Sequence, residues 1–275
     1  MLKRIERIWA LSKIVVFDGL RRHALLGLIL LSLAAEVGGL LFFDFIPRDI
    51  GRASSDFIFS ISWLSGIIFL FFHSVQVIAW DEERHVIYTL LARPISRSEY
   101  VIGIFAGLGA ILLILNSILA LLGWFTLMLI RHLVAVEYFV HFSSGFYLLT
   151  WVGLLFLELV ILSAIMLFSS MIRGGFPVLL MSVSFYAICS GLPVVRETAA
   201  QQSANSGSHD FISLVLQILT IFFPDFDRLD FKNFIVLNNF LPEAGTLLIN
   251  FGLIAAYIVM LLWTASALYN RRDLQ

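Results

Sequence analysis

Long apolar runs alternate with short polar joints along almost the whole chain. Runs near 20 residues are long enough to cross a bilayer core of roughly 30 Å as helices. They fall at about 23–43, 57–80, 99–130, 146–171, 176–195 and 246–269, and predict six transmembrane helices. A further apolar stretch, 210–223, is 14 residues long, which suits a re-entrant or interfacial helix better than a crossing. The residues before it, 197–210, are small and polar (Gln201-Gln202-Ser203-Ala204-Asn205-Ser206-Gly207-Ser208) and predict a flexible loop. Residues 196–245 therefore read as one long connection between the fifth and sixth spans. The first 22 residues carry another pattern. Leu2, Ile5, Trp9, Val16 and Leu20 share one helical face, while Lys3, Arg4, Arg7, Asp18 and Arg22 gather on the other. That predicts an amphipathic helix on the cytoplasmic membrane surface, where a basic face suits anionic lipid.

Composition turns this pattern into a class. Of 275 residues, 60% are hydrophobic and 13% charged, against about half and a quarter in an average soluble domain. A water-soluble enzyme is excluded. The expected fold is an all-α polytopic membrane protein, a single transmembrane domain over 1–275. With 18 Lys and Arg against 19 Asp and Glu, nothing in the balance points to nucleic acid. The distribution is more telling than the total. With the N-terminus inside, Lys3, Arg4, Arg7, Lys13, Arg21, Arg22, Arg84, Arg93, Arg97, Arg173, Arg271 and Arg272 face the cytoplasm, leaving six basic residues outside. The positive-inside rule then places both termini in the cytoplasm and the protein in the inner (plasma) membrane. A lone cysteine, Cys189, rules out an internal disulfide and reads as a packing residue. No cleavable signal pattern stands at the N-terminus.

The most polar inner segment lies between the second and third spans. Residues 81–92 read as a short helix beginning Asp81-Glu82-Glu83-Arg84, with Ile87, Leu90 and Leu91 on one side. Pro94 steers Arg93 away from helical geometry, so the chain turns there. Ser96-Arg97-Ser98-Glu99 then matches a capping box, in which Ser96 and Glu99 satisfy each other's backbone amides and start the third helix at a fixed point. Helix, proline break and capped helix predict a rigid knee over 81–99.

The run Leu90-Leu91-Ala92-Arg93-Pro94-Ile95-Ser96-Arg97-Ser98-Glu99-Tyr100, after an acidic cluster and before a glycine-bearing span, resembles the cytoplasmic loop of ABC-2 type permeases. Those are the membrane subunits of ATP-binding-cassette exporters. The likeness is greater to the multicopper-enzyme and nitrous-oxide-reductase maturation permeases, which the outer segment Phe223-Pro224-Asp225-Phe226-Asp227-Arg228-Leu229-Asp230 also resembles. Many of them carry a glycine where this chain has Glu83-Arg84-His85. The resemblance implies a type V exporter-like fold: six transmembrane helices after an N-terminal interfacial helix, working as a homodimer. It implies that Asp81, Glu82, Glu83 and Arg84, supported by Ile87, Leu90, Leu91, Arg93, Pro94 and Arg97, couple to a separate ABC ATPase subunit. ATP and Mg would bind that subunit, and this chain would hold no cofactor. An outer-side (periplasmic) protein is a further implied partner. Read without the resemblance, the loop's charges would serve only to set topology.

Two carboxylates interrupt the apolar runs, Glu36 in the first span and Glu158 in the fourth. An ionised carboxylate at bilayer depth costs about 2.5–3.5 kcal/mol or more, so each is either a protonated or hydrogen-bonded packing residue or part of a substrate pathway. Small-xxx-small spacings occur at Gly103/Gly107, Ala34/Gly38 and Ala35/Gly39 and permit close helix approach. Gly174-Gly175 with Pro177 marks a tight inner turn. The six histidines form no metal pattern; His132 and His141, near Glu137, come closest. No phosphate-binding glycine loop and no catalytic cluster is evident, so the chain reads as a non-enzyme. A secondary carrier is the alternative, though no inverted repeat with broken helices is evident.

Overall fold

The computed structural model describes residues 2–21, 24–40, 50–83, 96–133, 139, 142–206, 223–232, 235 and 244–271, with backbone alone at 2, 3, 24, 40, 81–83 and 199–206. Eight helices account for nearly all of these residues, and none of them lies in a strand: α1 (Leu2–Arg21), α2 (Ala24–Leu40), α3 (Ile50–Ile68), α4 (Val75–Glu83), α5 (Arg97–Leu133), α6 (Ser144–Met171), α7 (Gly175–Ser206) and α8 (Ala244–Arg271). Five stretches are long and apolar enough to cross a membrane: Ile50–Trp80, Arg97–Leu133, Ser144–Met171, Gly175–Thr198 and Ala244–Arg271. The protein is a multi-pass helical membrane protein. The predicted first span appears as the shorter α2.

Several predicted boundaries move. The second span starts at Ile50, so Arg52 and Asp56, expected in a loop, sit four apart on helix as an ion pair at 3.8 Å. It also runs unbroken to Glu83 through a π-helical segment, Phe69–Ser74, where the Val75 N–H reaches back to the Leu70 carbonyl. Asp81, Glu82 and Glu83 therefore continue the preceding helix, and the rest of the expected short helix, 84–92, lies outside the described residues. The fifth span continues to Ser206, overturning the flexible loop expected from 197. The reason is local: Arg196-Glu197-Thr198-Ala199-Ala200-Gln201-Gln202 contains mostly good helix formers, and small polar composition hid that propensity. Residues 207–222, including most of the expected short apolar helix, lie outside the described residues, as do 236–243.

The course of α1 is the largest departure. Leu11 packs on Gly103, Val15 on Gly107 and Gly19 on Ile111. Each step of four along α1 matches a step of four along α5, so the two helices run side by side in the same direction. Leu11, Ser12, Val15 and Gly19 are buried, whereas Ile5, Trp9 and Leu20, on the face expected to meet the membrane, are exposed. The glycines decide this: with no Cβ at 103 and 107, α5 offers a groove that receives Leu11 and Val15, and shape outweighs hydrophobic bulk. The small-xxx-small pair of the third span thus serves the N-terminal helix. Helix α2 continues the same path along the second half of α5, with Glu36 beside Thr126. It crosses α3 antiparallel, Ser32 bonding Ser65 at 2.6 Å and Gly39 lying under the Phe57 ring.

The core lies between α3, α5 and α6, where Ile58, Phe59, Leu108, Leu112, Val160 and Ile161 are fully buried. At the end of the bundle holding Glu83 and Ser96, Gly174 takes a φ of +100°, open to glycine at little cost, and lets α6 turn into α7 beside Ala79. At this knee end Arg97 also meets the last turn of α8. Helices α7 and α8 lie at the periphery; Leu248, Val259, Met260 and Trp263 of α8 are exposed, as expected of side chains facing lipid.

Candidate functional site

The start of α5 collects several polar side chains at one end of the bundle. The Ser96 N–H donates to Glu99 Oε2 at 3.0 Å, and the Glu99 N–H donates to Ser96 Oγ at 3.3 Å, the reciprocal pair of a capping box. Sequence reasoning missed what else Glu99 does. Its carboxylate is only 3% exposed and takes Arg4 Nε at 3.3 Å and Arg7 Nη1 at 3.5 Å from α1, while Arg4 also donates to Ser98 Oγ. Arg97, expected to serve an ATPase interface, donates to the carbonyls of Tyr269 (3.0 Å) and Asn270 (3.2 Å) in the last described turn of α8. Both carbonyls lie in the last described turn of α8, and a guanidinium is well suited to bonding helix carbonyls there. Tyr100 and Tyr269 stack obliquely with centroids 6.1 Å apart, and the Tyr269 hydroxyl bonds Ser169 of α6 at 3.1 Å. Three residues at the helix start, Arg97, Glu99 and Tyr100, thus join α5 to α1 and α8, and Tyr269 carries the link on to α6. Of the other expected coupling residues, Asp81, Glu82 and Glu83 have described backbone only, and Arg84, Ile87, Leu90, Leu91, Arg93 and Pro94 lie outside the described residues.

Neither buried carboxylate meets a cation among the described residues. Glu158 is wholly buried and accepts the Asn116 side-chain amide at 2.5 Å; that amide also donates to the Leu112 carbonyl. Helix α3 passes directly over the carboxylate at Gly66, where no side chain would fit. Glu36 accepts from the Thr126 hydroxyl at 3.1 Å. Oε1 of each glutamate and Oδ1 of Asn116 have no hydrogen-bond partner among the described residues. The two carboxylates are therefore interhelical ties, α6 to α5 and α2 to α5. Asn116, an amide inside the third apolar run, was the available signal for the first.

A second polar constellation stands at the far end of the bundle. Asp225 is buried and caps the 3-10 turn Phe226–Leu229, its Oδ1 accepting the Asp227 N–H at 3.2 Å. Its Oδ2 meets Arg196 at 3.1 Å and Arg228 at 3.8 Å, fixing the turn to α7. Lys232 pairs with Asp230 at 3.3 Å. Partial burial, with the neighbouring Asp225 and Asp230 carboxylates, pushes Asp227 above the ordinary carboxylate value, against an opposing pull from Arg196. Beneath the turn, between α3, α6 and α7, lies a cleft of about 230 Å³.

No protein-family model matches the chain, and no curated protein matches it. Among the described residues no three His, Cys, Asp or Glu side chains converge as metal ligands would. The start of α5 is thus a capped, ion-paired helix end linked to α1 and α8 and, through Tyr269, to α6.

Proposed function

We propose that the chain is the membrane subunit of an ATP-binding-cassette exporter. Six helices would cross the inner membrane with both termini in the cytoplasm, α2 making the first crossing, and two copies would form the working dimer. A separate ATPase would bind the knee at 81–99, and closure of its nucleotide-bound pair would drive export or a mechanical step on an outer-side protein. The observation that carries this reading is the node at Arg97, Glu99 and Tyr100, which supports transmission from a loop whose sequence resembles that of ABC-2 permeases. A flexible tether would need no such ties. The node also shifts the division of labour: Arg97 and Glu99 transmit, and contact with the ATPase falls to residues earlier in the loop.

The test is copurification of the tagged chain with an ABC ATPase from its native membrane. Wild type should retain the ATPase and Glu83→Arg or Arg93→Glu should lose it; association unchanged in both variants would overturn the placement at 81–97. Cysteine labelling at Ser206→Cys should report the side opposite the termini, and labelling from the cytoplasm would overturn the six-crossing map. A secondary carrier is the second reading, favoured by Glu158, a fully buried carboxylate bonded to Asn116 mid-span. Transport that persists without any ATPase and fails in Glu158→Gln would select it.

A further inference from the structure

The far-end cleft has an unusual wall. Trp63 of α3, Tyr186 of α7 and Phe226 of the 3-10 turn line it, with ring centroids 6.0 Å (Trp63–Tyr186), 6.3 Å (Trp63–Phe226) and 6.4 Å (Tyr186–Phe226) apart. Three helically separate segments, 63, 186 and 226, converge to place them there. Asp227 and the Asp230–Lys232 pair stand at the same cleft. Lys232 is neutralised by Asp230, whereas no basic side chain forms an ion pair with Asp227 among the described residues; the nearby Arg196 is bonded to Asp225. The cleft therefore joins aromatic walls to a carboxylate that forms no ion pair among the described residues.

The wall's hydrogen-bond donors are mostly committed. The Trp63 indole N–H donates to the Tyr186 hydroxyl at 3.2 Å, the Thr150 hydroxyl to the Phe146 carbonyl at 2.8 Å, and the Ser190 hydroxyl to the Tyr186 carbonyl at 2.8 Å. A ligand rich in acceptors, such as a sugar or a phosphate, would find little to bond. A cation whose charge is spread over methyl groups needs neither donor nor acceptor; it needs aromatic surface and a nearby negative charge. We propose that this cleft binds an alkylated ammonium group, its methyls against Trp63, Tyr186 and Phe226 and its charge balanced by Asp227. The group could belong to a free solute or to a choline lipid headgroup, both of the same chemistry. The site does not depend on how the transporter is energised, so its test and that of the ATPase partner stand or fall separately.

The test is isothermal titration of the full chain, in phosphatidylglycerol nanodiscs, with choline and with its uncharged carbon isostere, dimethylbutanol. Choline should bind saturably and at least about tenfold more tightly than the isostere, a difference of about 1.4 kcal/mol. Asp227→Asn, at an exposed position where folding is not at risk, should weaken choline about tenfold; Trp63→Phe should cost less than Trp63→Leu, because a ring is kept. Absence of saturable choline binding, equal affinity for choline and isostere, or an unchanged affinity in Asp227→Asn would overturn the proposal. Repeating the choline titration in phosphatidylcholine discs names the source. Weaker apparent binding there identifies a lipid headgroup competing for the site, and equal binding identifies a solute site.

Discussion

Replacing Glu99 by Gln tests the knee-end node at one oxygen. The Gln side chain keeps a carbonyl for the Ser96 N–H, so the cap survives, but it puts an amide NH₂ where Oε1 accepted Arg4 Nε at 3.3 Å. Two ion pairs disappear. Their arginines are 55% and 37% exposed, so each pair is worth only about 0.5–1 kcal/mol and not the several kcal/mol of a fully buried one. Facing two donors across a buried gap adds about 1 kcal/mol. Burying a neutral amide in place of a carboxylate returns about half of this, leaving a net loss of about 1–2 kcal/mol. Because α1 is held to α5 at this point, the loss should appear first as local opening of α1. Hydrogen exchange over residues 4–21 should speed up about 5- to 30-fold, with the core of α5 and α6 little changed. Arg4→Gln should have a smaller effect alone and less than an additive one in the Glu99→Gln background. Unaltered exchange in α1, or strict additivity, would refute the claim that Glu99 fastens α1 to the knee.

Three further outcomes follow from the packing. In Gly107→Val the new Cβ would stand 2.6 Å from Val15 Cβ and 3.1 Å from the Ser12 carbonyl, so thermal stability should fall by about 1–3 kcal/mol, whereas Gly38→Ala, with nothing within 4 Å, should be neutral or slightly stabilising. Glu158→Ala should destabilise by about 2–4 kcal/mol, since it empties a packed site and strands the Asn116 amide, while Glu158→Gln, which keeps an acceptor for that amide, should cost less; equal losses would contradict the Asn116 tie. Because Asp227 sits above its ordinary value, its contribution to stability is present below the unfolded value and lost as pH rises through the folded one. Asp227→Asn should therefore raise the melting temperature at pH about 7 and leave it unchanged at pH about 3, and the opposite order would show that Asp227 is stabilised as a carboxylate.

How much of this could be read from the residues depended on sequence separation. The Ser96–Glu99 box joins positions three apart, so the pattern alone predicted it, as it did the turn at Gly174 and the long apolar helices. Arg4 to Glu99, Arg97 to Tyr269 and Glu158 to Asn116 join positions 95, 172 and 42 apart, and nothing local marks them. The face of α1 that packs on α5 was hidden for a different reason. Amphipathicity ranks side chains by hydrophobicity, but Leu11, Ser12, Val15 and Gly19 were chosen by the glycine groove they fill, and lipid tolerates the bulkier Ile5 and Trp9 on the outside. In water that exchange would be costly. In a membrane the outward face of a helix carries little information about its partner.

The three buried glutamates share one partner helix. Glu99 lies on α5 itself, Glu158 reaches Asn116 of α5, and Glu36 reaches Thr126 of α5, so α5 carries a polar tie near its start, middle and end. Interhelical hydrogen bonds in membranes average about 0.6 kcal/mol each, too weak to hold a bundle together but enough, added to the glycine groove and the aromatic packing, to fix register. A displacement at the start of α5 would therefore act on the helix against which α1, α2 and α6 are all registered. Helix α7 is fixed differently: it exposes much of its length, and its polar link to the far end runs through Arg196 and Asp225 to the turn at 226–229. The aromatic cleft lies on that seam, with Trp63 and Thr150 on the registered body and Tyr186 and Ser190 on α7. Motion of the body against α7 would change the spacing of Trp63 and Tyr186, whose hydrogen bond closes one side of the cleft. A force entering at Ser96 would then reach a ligand held at Asp227 through α5 and the helices tied to it, α6 among them, so loosening the α5–α6 tie at Asn116 should weaken the dependence of one on the other while leaving each intact.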